Sequence, residues 1–382
     1  MTSKDGQQVT GLGQPQFTIH LRNSTDSDNV HAYVTGTDIQ HDNLFLLRAD
    51  GKTAYHPANP SSDGAPLAHD CAIKLGASGS NVPISIPHLR GARIYFAIGK
   101  LVFTLNKGDG RAALVEPSPF DLDSKNHDVR WSFTEFTWNT ENLYANISFQ
   151  DFVGLPISLT LKPTSGNTQH VAGLPADGVS NVCKRLEHVG FDTEDWAKLV
   201  MKSKNGQYLR AITPYNGMKL YSGLFRGYYD KYVNEVWQKY EKQALLVDTA
   251  APGKLKGHVE DGVLKIGSES FAKPSTADIF GLNSGPFENT GSELRKEIIP
   301  LLGAAFNRST LLRDNETPDP DGQKDYYQAK VTNYYAKIVH EVLPDGRGYA
   351  FAYDVKPPGT KDQSGRVKAT HPESLVVTVG GH

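Results

Sequence analysis

The sequence has little cysteine and no excess of charge of either sign. Its 382 residues include only two cysteines, Cys71 and Cys183, which allow one disulfide at most. Two cysteines do not indicate whether the protein works in a reducing or an oxidising compartment. The 40 lysines and arginines nearly balance 42 aspartates and glutamates, so the net charge of −2 lacks the basic footprint of a nucleic-acid-binding protein. The length predicts about two or three domains with room for a sizeable core.

Long apolar runs are also missing. No segment approaches the roughly 20 apolar residues of a membrane-spanning helix, so we expect no membrane partner. The polar start, "MTSKDGQQVTGLGQPQ", has no apolar stretch of the kind that a signal peptide requires. We therefore expect either a cytoplasmic protein or a chain from which a leader has been removed.

The sequence contains no recognised motif for binding a metal or a cofactor. The 13 histidines are scattered, without H-E-x-x-H, C-x-x-C or another spacing typical of metal ligands. The "DPDG" segment at 319–322 lacks the acidic register of a calcium loop and predicts a turn. The sequence shows no recognisable Ser-His-Asp arrangement and no glycine-rich loop that would bind phosphate. We therefore expect neither a metal nor a cofactor.

What the sequence does contain, up to about residue 178, is a series of short β-strands. "FTIHLRN" at 17–23 and "VHAYVTG" at 30–36 alternate apolar and polar residues. Asp50-Gly51 and Gly99-Lys100 each lie between two strand-like runs and predict hairpin loops. Closely spaced short strands of this kind are typical of a β-sandwich or β-barrel.

The pattern changes to mixed helix and strand from 179 to 344. Helices are predicted over 191–203, with Asp192 or Thr193 as the cap, and over three further segments. These three segments are 228–246, 293–312 and 326–342. A second Asp-Gly hairpin is predicted at Asp261-Gly262.

The last segment is strand-like again. "GYAFAYDV" at 348–355 and "SLVVTV" at 374–379 predict strands that return to the first domain. The organisation is thus a β-domain over 1–178 that is completed by 345–382, with a mixed α/β domain over 179–344 between them. A cleft between two domains is a frequent place for a ligand.

One predicted strand carries polar side chains on a single face. In "WSFTEFTWN" at 131–139, alternation places Glu135, Thr137 and Asn139 on the same side. An acid, a hydroxyl and an amide in a row match a polyhydroxylated ligand, and the nearby rings of Trp138 and Tyr144 offer surfaces for sugar stacking. The alternative is an ordinary solvent-exposed strand face.

A second carboxylate, Asp151, follows 16 positions later, just before Gly154 and Pro156. A strand-end aspartate at a bend is compatible with catalysis and equally with turn capping. If 139–142 is a tight turn, Glu135 pairs near Asn146, and a straight strand would carry Asp151 about 16 Å further along. Glycosidases hold their two carboxyls about 5 to 9.5 Å apart. The strand must therefore bend for this pair to act together.

Other carboxylates have simpler interpretations. Glu116 precedes a proline and is expected at a turn or groove rim, and Asp121 and Asp123 read as solvated loop charges. Asp278 and Asp354 are either groove residues or caps of a helix or turn.

The stretch "EFTWNTENLYANISFQDFVGLPISL" at 135–159 resembles the signature of glycoside hydrolase family 64. These are β-1,3-glucanases of thaumatin-like type. The matching pattern is E-F-T-x-N, then L-Y-A-N-I-S-x-x-D-F-V, then L-P-I. Further segments, such as "KPSTADIFGLNSGPF" and "SLVVTVGG", extend the similarity over most of the chain from about residue 90. The resemblance implies a thaumatin-like β-barrel or sandwich domain and a mixed α/β domain that form a wide groove.

The same resemblance implies an activity and a set of site residues. The activity is an inverting endo-hydrolysis of β-1,3-glucan to short oligosaccharides by a secreted enzyme, which we expect to be a monomer. Glu135 matches the general acid and Asp151 the general base. Thr137 and Asn139 match glucan contacts, and Tyr144 lies where an aromatic ring would line a subsite.

Inversion requires one protonated and one ionised carboxyl. We expect apolar neighbours, including Phe133, Phe136 and Trp138, to raise the pKa of Glu135, while a more exposed Asp151 stays ionised. Two other classes of protein stay open: a non-catalytic glucan-binding protein of the same shape, and a structural β-sandwich that binds no glycan.

Overall fold

The computed structural model of the chain describes residues 15–189, 194–249, 251–354 and 363–381. In chain order the strands are β1 (Phe17–Asn23), β2 (Val30–Asp38), β3 (Asn43–Leu47), β4 (Ala54–Tyr55), β5 (Ala65–Pro66), β6 (Ile73–Lys74), β7 (Asn81–Ile86), β8 (Leu89–Ile98), β9 (Thr104–Lys107), β10 (Ala112–Val115), β11 (Arg130–Trp138), β12 (Leu143–Asn146), β13 (Phe152–Val153), β14 (Ile157–Pro163), β15 (Gln169–Val171), β16 (Val200–Lys202), β17 (Tyr208–Ile212), β18 (Leu245–Asp248), β19 (Lys254–Glu260), β20 (Val263–Ile266), β21 (Glu269–Phe271), β22 (Glu316–Thr317), β23 (Arg366–Ala369) and β24 (Pro372–Val379).

The α-helices are fewer and all lie between β15 and β23. They are α1 (Gly178–Glu187), α2 (Pro214–Leu220), α3 (Asp230–Tyr240), α4 (Thr276–Gly281), α5 (Glu293–Arg308) and α6 (Tyr334–Val342). The expectation of a mainly β protein with helices in its middle part is confirmed.

Two large sheets contain most of the early strands. The eight-stranded sheet has the order β23-β12-β11-β8-β2-β3-β4, with β6 also paired to β2, and the five-stranded sheet has the order β15-β14-β24-β1-β7. Strand β24 lies parallel to β1 and antiparallel to β14, so the last part of the chain is central to this sheet. Within the described ranges none of the sheets closes into a barrel.

Three smaller sheets complete the β-structure. Their orders are β10-β9-β5, β13-β17-β16 and β21-β20-β19-β18-β22. The second of them is important for the site, because β13 follows the eight-stranded sheet in the chain whereas β16 and β17 belong to the helical middle part. This small sheet therefore connects the two parts of the molecule.

Alternation in the sequence explains the strand faces. In β1, Phe17, Ile19 and Leu21 are buried, whereas Thr18 and Arg22 are exposed. A period of two residues is what a strand with one apolar face requires, and the expectation for 17–23 is confirmed.

Both Asp-Gly hairpins are confirmed. Strand β3 pairs with β4 across Asp50-Gly51, where Gly51 has a φ of 70°. Strand β19 pairs with β20 across Asp261 and Gly262, which have φ values of 51° and 76°. Two consecutive positive φ values are those of the two-residue hairpin loop that matches the twist of the strands.

The hairpin predicted at Gly99-Lys100 is wrong. Strand β9 pairs with β10 and β5 and does not return along β8. The Leu101 amide donates a hydrogen bond to the Tyr33 hydroxyl at 3.0 Å, and the Val102 amide donates to Asn126 Oδ1 at 2.8 Å. The Tyr33 and Asn126 side chains thus bind the backbone amides that a hairpin would have paired. The chain continues from there into another sheet.

The helix predictions have mixed outcomes. Those over 228–246 and 293–312 are confirmed in part, because α3 ends at Tyr240 and α5 at Arg308, and Leu245 already begins β18. The helix predicted over 326–342 is too long, because α6 begins after Asn333, whose side chain caps it by accepting the Ala336 amide at 3.0 Å. Tyr327, with a φ of 61°, lies outside helical backbone geometry.

Two further predictions on secondary structure are wrong. Within 191–203 the described part forms only a short 3-10 turn, Ala197–Leu199, followed by β16; the proposed caps Asp192 and Thr193 lie outside the described residues. The segment from Tyr349 to Asp354 is a turn instead of a strand, because the Asp354 carboxylate accepts the Ala350 amide at 3.0 Å and pulls the backbone round.

Both cysteines are free and buried, so they do not form a disulfide with each other. Among the described residues no helix is both long and apolar enough to pass through a bilayer.

Candidate active site

The middle of the eight-stranded sheet places Glu135 at the protein surface. On β11 it lies directly opposite Arg93 of β8 on one side and Asn146 of β12 on the other. The register with Asn146 is the one that the tight turn at 139–142 predicts. The Glu135 side chain is 38% exposed, which leaves its carboxylate open to a ligand from solvent.

Arg93 holds two carboxylates together. Its Nε and Nη2 donate to Glu135 Oε1 at 3.2 and 3.1 Å, and its Nη1 donates to Glu116 Oε2 at 2.7 Å. The guanidinium stacks on the Phe133 ring, 4.6 Å from its centroid, which fixes its plane. We call Arg93, Glu116 and Glu135 the cleft cluster. Glu116, expected at a turn or groove rim, is thus a neighbour of the proposed acid.

Asp151 reaches the same region because the chain leaves the sheet. Strand β12 ends at Asn146, and β13 then pairs with β17 of the helical part. The Asp151 carbonyl accepts the Thr213 amide at 3.2 Å and the Asn216 side-chain amide at 3.1 Å. The bend required by the sequence argument is present, and the N-terminal end of α2 fixes it.

A buried tyrosine supports this bend from behind. The Tyr335 hydroxyl, on α6, donates to the Phe149 carbonyl at 2.6 Å, and Tyr335 is fully buried. The Phe149 amide in turn donates to the Tyr349 carbonyl at 2.6 Å. Residues from three separate parts of the chain therefore determine where Asp151 lies.

The pKa of Asp151 is raised above its ordinary value. The largest cause is loss of solvation by the protein that surrounds it; Glu135 also raises this pKa through its charge, while Arg93 and the Asn216 hydrogen bond lower it. The charges of Glu135 and Arg93, on the sheet, therefore act on Asp151 at the bend. Asp151 is nevertheless accessible to solvent, as an open cleft requires.

The surroundings of Glu135 and Asp151 differ from those that the sequence predicts. Phe136 and Trp138 lie on the opposite face of β11 from Glu135, and the direct neighbour of Glu135 is the Arg93 cation. Desolvation acts instead on Asp151. The reason is strand alternation, since residues at odd distances from Glu135 point away from it.

A cavity of about 370 Å³ opens beside Asp151. One side is formed by α2, which contributes Asn216 and Lys219, and another by the end of α4 and the turn at 350–353. Amide, ammonium and aromatic groups, including Tyr215 and Phe280, line it. Polar groups beside aromatic rings are the usual lining of a site for a sugar chain, whose ring faces are apolar and whose edges are hydroxyls.

The other predicted binding residues divide between the two faces of β11. Thr137 lies opposite Tyr144, and its hydroxyl accepts the Gly91 amide at 3.3 Å. The hydroxyl of Tyr144 is 3.5 Å from that of Tyr349, and burial raises the pKa of Tyr144. These two side chains belong to the Glu135 face of the sheet.

Asn139 and Trp138 are placed differently. The Asn139 side-chain oxygen accepts the Glu141 and Asn142 amides at 2.9 and 3.0 Å, so it caps the turn. Trp138 is only 8% exposed and packs on Phe17 and His88 on the opposite face. The structure therefore does not bring the Trp138 ring to the cleft cluster.

The remaining candidate carboxylates have local structural roles. Asp278 forms a capping box with Ser275 at the start of α4, as its helix-cap interpretation states. Asp121 and Asp123 are exposed in a loop. Asp319 accepts the Asp321 amide at 2.8 Å, which matches the predicted turn.

Asp354 lies in a buried ion-pair network behind the turn at 350–353. It accepts hydrogen bonds from Arg308 Nη2 and from His340 Nε2, each at 2.7 Å, and its side chain is 0% exposed. Burial alone would raise the pKa of Asp354, but the charges of His340 and Arg308 lower it overall. We call Arg308, His340 and Asp354 the wall cluster, because the turn that it holds lines the cavity.

Sequence reasoning missed several residues of the site. Arg93 is one of them, although a lone arginine in the apolar run "RIYFAIG" was a usable signal. Asn216, Lys219 and the turn at 350–353 left no such signal, because their importance depends on a chain crossing that only the fold defines.

Comparison with known proteins identifies the family. The family model for β-1,3-glucanases of glycoside hydrolase family 64 matches residues 15–379, so the chain belongs to this family. Curated proteins similar to it are the glucan endo-1,3-β-glucosidases of Cellulosimicrobium cellulans and of Arthrobacter sp. (strain YCWD3), each 28% identical over 284 residues. The match covers 72% of this chain and 50% of each relative, so the chain spans about half the length of these proteins.

Solved structures agree with this assignment. A laminaripentaose-producing β-1,3-glucanase in complex with laminaritetraose is 29% identical, with a TM-score of 0.83 over 95% of this chain and 98% of that chain. A β-1,3-glucanase domain of family 64 from Clostridium beijerinckii has a TM-score of 0.72 at 21% identity, again over 95% and 98% of the two chains, and supports the fold. The family resemblance read from residues 135–159 is confirmed.

Proposed function

We propose that this protein is an inverting endo-β-1,3-glucanase that hydrolyses laminarin- or curdlan-type glucan to short oligosaccharides. The observation that carries the proposal is that the charges of Glu135 and Arg93, on the sheet, act on Asp151, which lies at the bend and lines an open cavity. The relatives named glucan endo-1,3-β-glucosidase and the laminaritetraose complex of a similar structure support the choice of substrate.

Glu135 is the general acid in this proposal and protonates the glycosidic oxygen. Arg93 binds both Glu135 and Glu116, so its charge is shared between two carboxylates. The Glu135 side chain is exposed, so a glucan chain can approach its carboxyl from solvent.

Asp151 is the general base and takes a proton from the water that attacks the opposite face of the sugar. A carboxylate whose pKa is raised is a stronger base than an ordinary aspartate, provided that it is ionised at the working pH. Its fixed backbone carbonyl, bonded to Thr213 and Asn216, keeps its position constant through the reaction.

Glucan binding is assigned to the groups around these carboxyls. Thr137 and Tyr144 on the sheet and Lys219 on α2 offer hydrogen bonds, and Asn139 offers the amide nitrogen that its turn does not use. Trp138 is not included, because its ring is buried on the other face.

The domain division, the place of action and the oligomeric state are further parts of the proposal. The division into a thaumatin-like β-domain, 1–178 with 345–382, and a mixed domain, 179–344, is supported by the pairing of β24 with β1 and β14. Action outside the cell is supported by the size of a polysaccharide substrate. A monomer is expected, and light scattering with size-exclusion chromatography tests it.

The experiment that tests the function follows the first product by NMR. Hydrolysis of laminarin by an inverting enzyme releases the α-anomer first, and mutarotation follows. Release of the β-anomer would contradict inversion, and binding to curdlan without any release of reducing sugar would favour the glucan-binding alternative. Neither binding nor release would favour the structural sandwich.

A further inference from the structure

Three potential metal ligands meet at one end of the eight-stranded sheet. Asp38 is the last residue of β2, His41 lies in the turn to β3, and His56 follows β4 directly. One ligand atom from each residue lies within 4.8 Å of the other two. His41 Nδ1 is 2.9 Å and His56 Nε2 is 3.5 Å from Asp38 Oδ2.

The hydrogen bonding of His56 fixes which ring nitrogen faces Asp38. Its Nδ1 is 3.0 Å from the Leu44 carbonyl oxygen, which can only accept, so Nδ1 carries a hydrogen. Nε2 is therefore the nitrogen that can bind an ion, and it lies 3.5 Å from Asp38 Oδ2.

This arrangement is also the one that orients histidine ligands in metal proteins. Such a histidine usually donates its second ring N–H to a carbonyl or carboxylate, which fixes the ring and its tautomer. His56 is held in this way by Leu44, and its side chain is only 10% exposed.

Asp38 is equally well fixed. Its side chain is 3% exposed, and Oδ1 accepts the Gln40 and His41 amides at 2.9 and 3.3 Å. Oδ2 is therefore the oxygen directed at both imidazoles. His41, with 34% of its side chain exposed, leaves one side open to water.

The two distances from Asp38 Oδ2 to the histidine nitrogens are close to those around a small tetrahedral ion. Zinc bonds of about 2.0 to 2.1 Å at tetrahedral angles place neighbouring ligand atoms about 3.3 Å apart. The observed separations of 2.9 and 3.5 Å lie on either side of this value. Two imidazoles and one carboxylate favour zinc or a similar transition metal over calcium and magnesium, which prefer oxygen ligands.

We propose that Asp38 Oδ2, His41 Nδ1 and His56 Nε2 form a binding site for a divalent transition-metal ion, zinc in the first place, with water as the fourth ligand. Binding through His41 Nδ1 requires the tautomer of the neutral ring that carries its hydrogen on Nε2. The ion connects the turn after β2 to the segment after β4 and stabilises this end of the sheet. The sequence did not predict this site, because the spacing of its three ligands along the chain matches no recognised metal-binding motif.

The test uses the full chain, treated with EDTA and then dialysed. Titration with ZnCl₂ in a calorimeter at pH 7 is expected to show one ion per chain and a higher thermal midpoint, whereas MgCl₂ produces neither. His41→Gln and His56→Gln should each weaken zinc binding at least about tenfold. The control His258→Gln, at an exposed histidine on β19, should bind zinc as the wild type does.

Two results would overturn the proposal. One is a wild-type chain whose thermal midpoint and calorimeter trace do not respond to zinc, which would leave a cluster of hydrogen bonds with a shared proton. The other is unchanged zinc affinity in the His41→Gln variant. Since His41 is partly exposed, this variant is expected to fold even if His56→Gln does not.

Discussion

The cleft cluster and the wall cluster each centre on an arginine, but they differ in exposure and in how completely their charged groups are paired. In the cleft cluster Arg93 is shared by two carboxylates, and its side chain is 29% exposed. In the wall cluster Arg308 is 4% exposed, and the single carboxylate, Asp354, is fully satisfied by Arg308, His340 and a backbone amide. The first can exchange partners with a ligand, whereas the second can only hold a turn in place.

The comparison separates a cluster that a ligand can reach from a structural support. The carboxylates of the cleft cluster are partly exposed and share one cation. The network around Asp354 is closed to solvent, so its removal should affect the stability of the folded state. Variants that affect the two clusters should therefore change different measurements.

The largest effect is expected at the proposed catalytic carboxyls. Glu135→Gln and Asp151→Asn should each lower turnover on laminarin by a factor of about 10² to 10⁴, the usual contribution of a general acid or base. Curdlan binding should persist, because amide groups keep the shape of the carboxyls. Reducing-sugar release measures the first effect and sedimentation with curdlan the second.

The controls are two exposed carboxylates near these positions in the chain, Glu141→Gln and Asp123→Asn. Both are expected to keep wild-type turnover. Near-normal turnover of Glu135→Gln would remove Glu135 from the mechanism.

The next largest effect is expected on stability at the wall cluster. Asp354→Asn leaves Arg308 buried without its counter-charge, which should lower the free energy of unfolding by about 3 to 5 kcal/mol at pH 7. Asp325→Asn breaks a more exposed arginine pair, with Arg313 48% exposed, and should cost about 1 kcal/mol or less. Urea unfolding of the three proteins gives both values.

The penalty of Asp354→Asn should depend on pH in a defined direction. Because the folded-state pKa of Asp354 is lowered, its stabilising contribution is present above the ordinary aspartate pKa of about 3.9 and is lost as the pH falls through the folded value. The difference from wild type should therefore shrink from about pH 4 downward. A difference that grows in acid would contradict the ion-pair interpretation.

A smaller effect is expected on the pH profile when the cleft cluster loses its cation. The charge of Arg93 lowers the pKa of Asp151, so Arg93→Gln should raise this pKa further. Because the base must be ionised, the acid limb of kcat/KM on laminarin should move to higher pH. Arg90→Gln, at an exposed arginine on the same strand, should leave the limb where it is; a shift of the Arg93→Gln limb to lower pH would exclude Asp151 as the base.

The smallest expected effect concerns Tyr144. Replacement by Phe keeps the ring and removes one hydroxyl, whose neighbour Tyr349 is 3.5 Å away. Loss of one hydrogen bond to glucan should raise KM about fivefold, equivalent to about 1 kcal/mol, with little change in stability. A lower thermal midpoint with unchanged KM would make Tyr144 a structural residue.

Local patterns in the sequence predicted those features that depend on a few neighbouring residues. The Asp50-Gly51 and Asp261-Gly262 hairpins and the pairing of Glu135 with Asn146 follow from turn chemistry and strand alternation. The absence of a hairpin at Gly99 was not predictable, because it depends on the Tyr33 hydroxyl, distant in sequence, which binds the Leu101 amide.

The sequence suggests the two proposed catalytic carboxyls but not their surroundings. Glu135 and Asp151 lie in one recognisable stretch of sequence. Their electrostatics depend on Arg93, from another strand, and on Asn216, from α2. The turn at 350–353 was predicted as a strand because of its apolar alternation. That pattern gives no sign that the buried Asp354 binds Arg308 and His340.

The position of β24 has a consequence for how the molecule is made. Its neighbours β1 and β14 belong to the first half of the chain, yet they cannot be joined until Pro372–Val379 has been synthesised. During synthesis on the ribosome, the edges of β1 and β14 that will pair with β24 stay unpaired while the helical part is made and folds. Contacts so distant in sequence slow folding, and unpaired edges attract other chains, so a chaperone that shields strand edges should raise the yield of this protein more than one that assists helices.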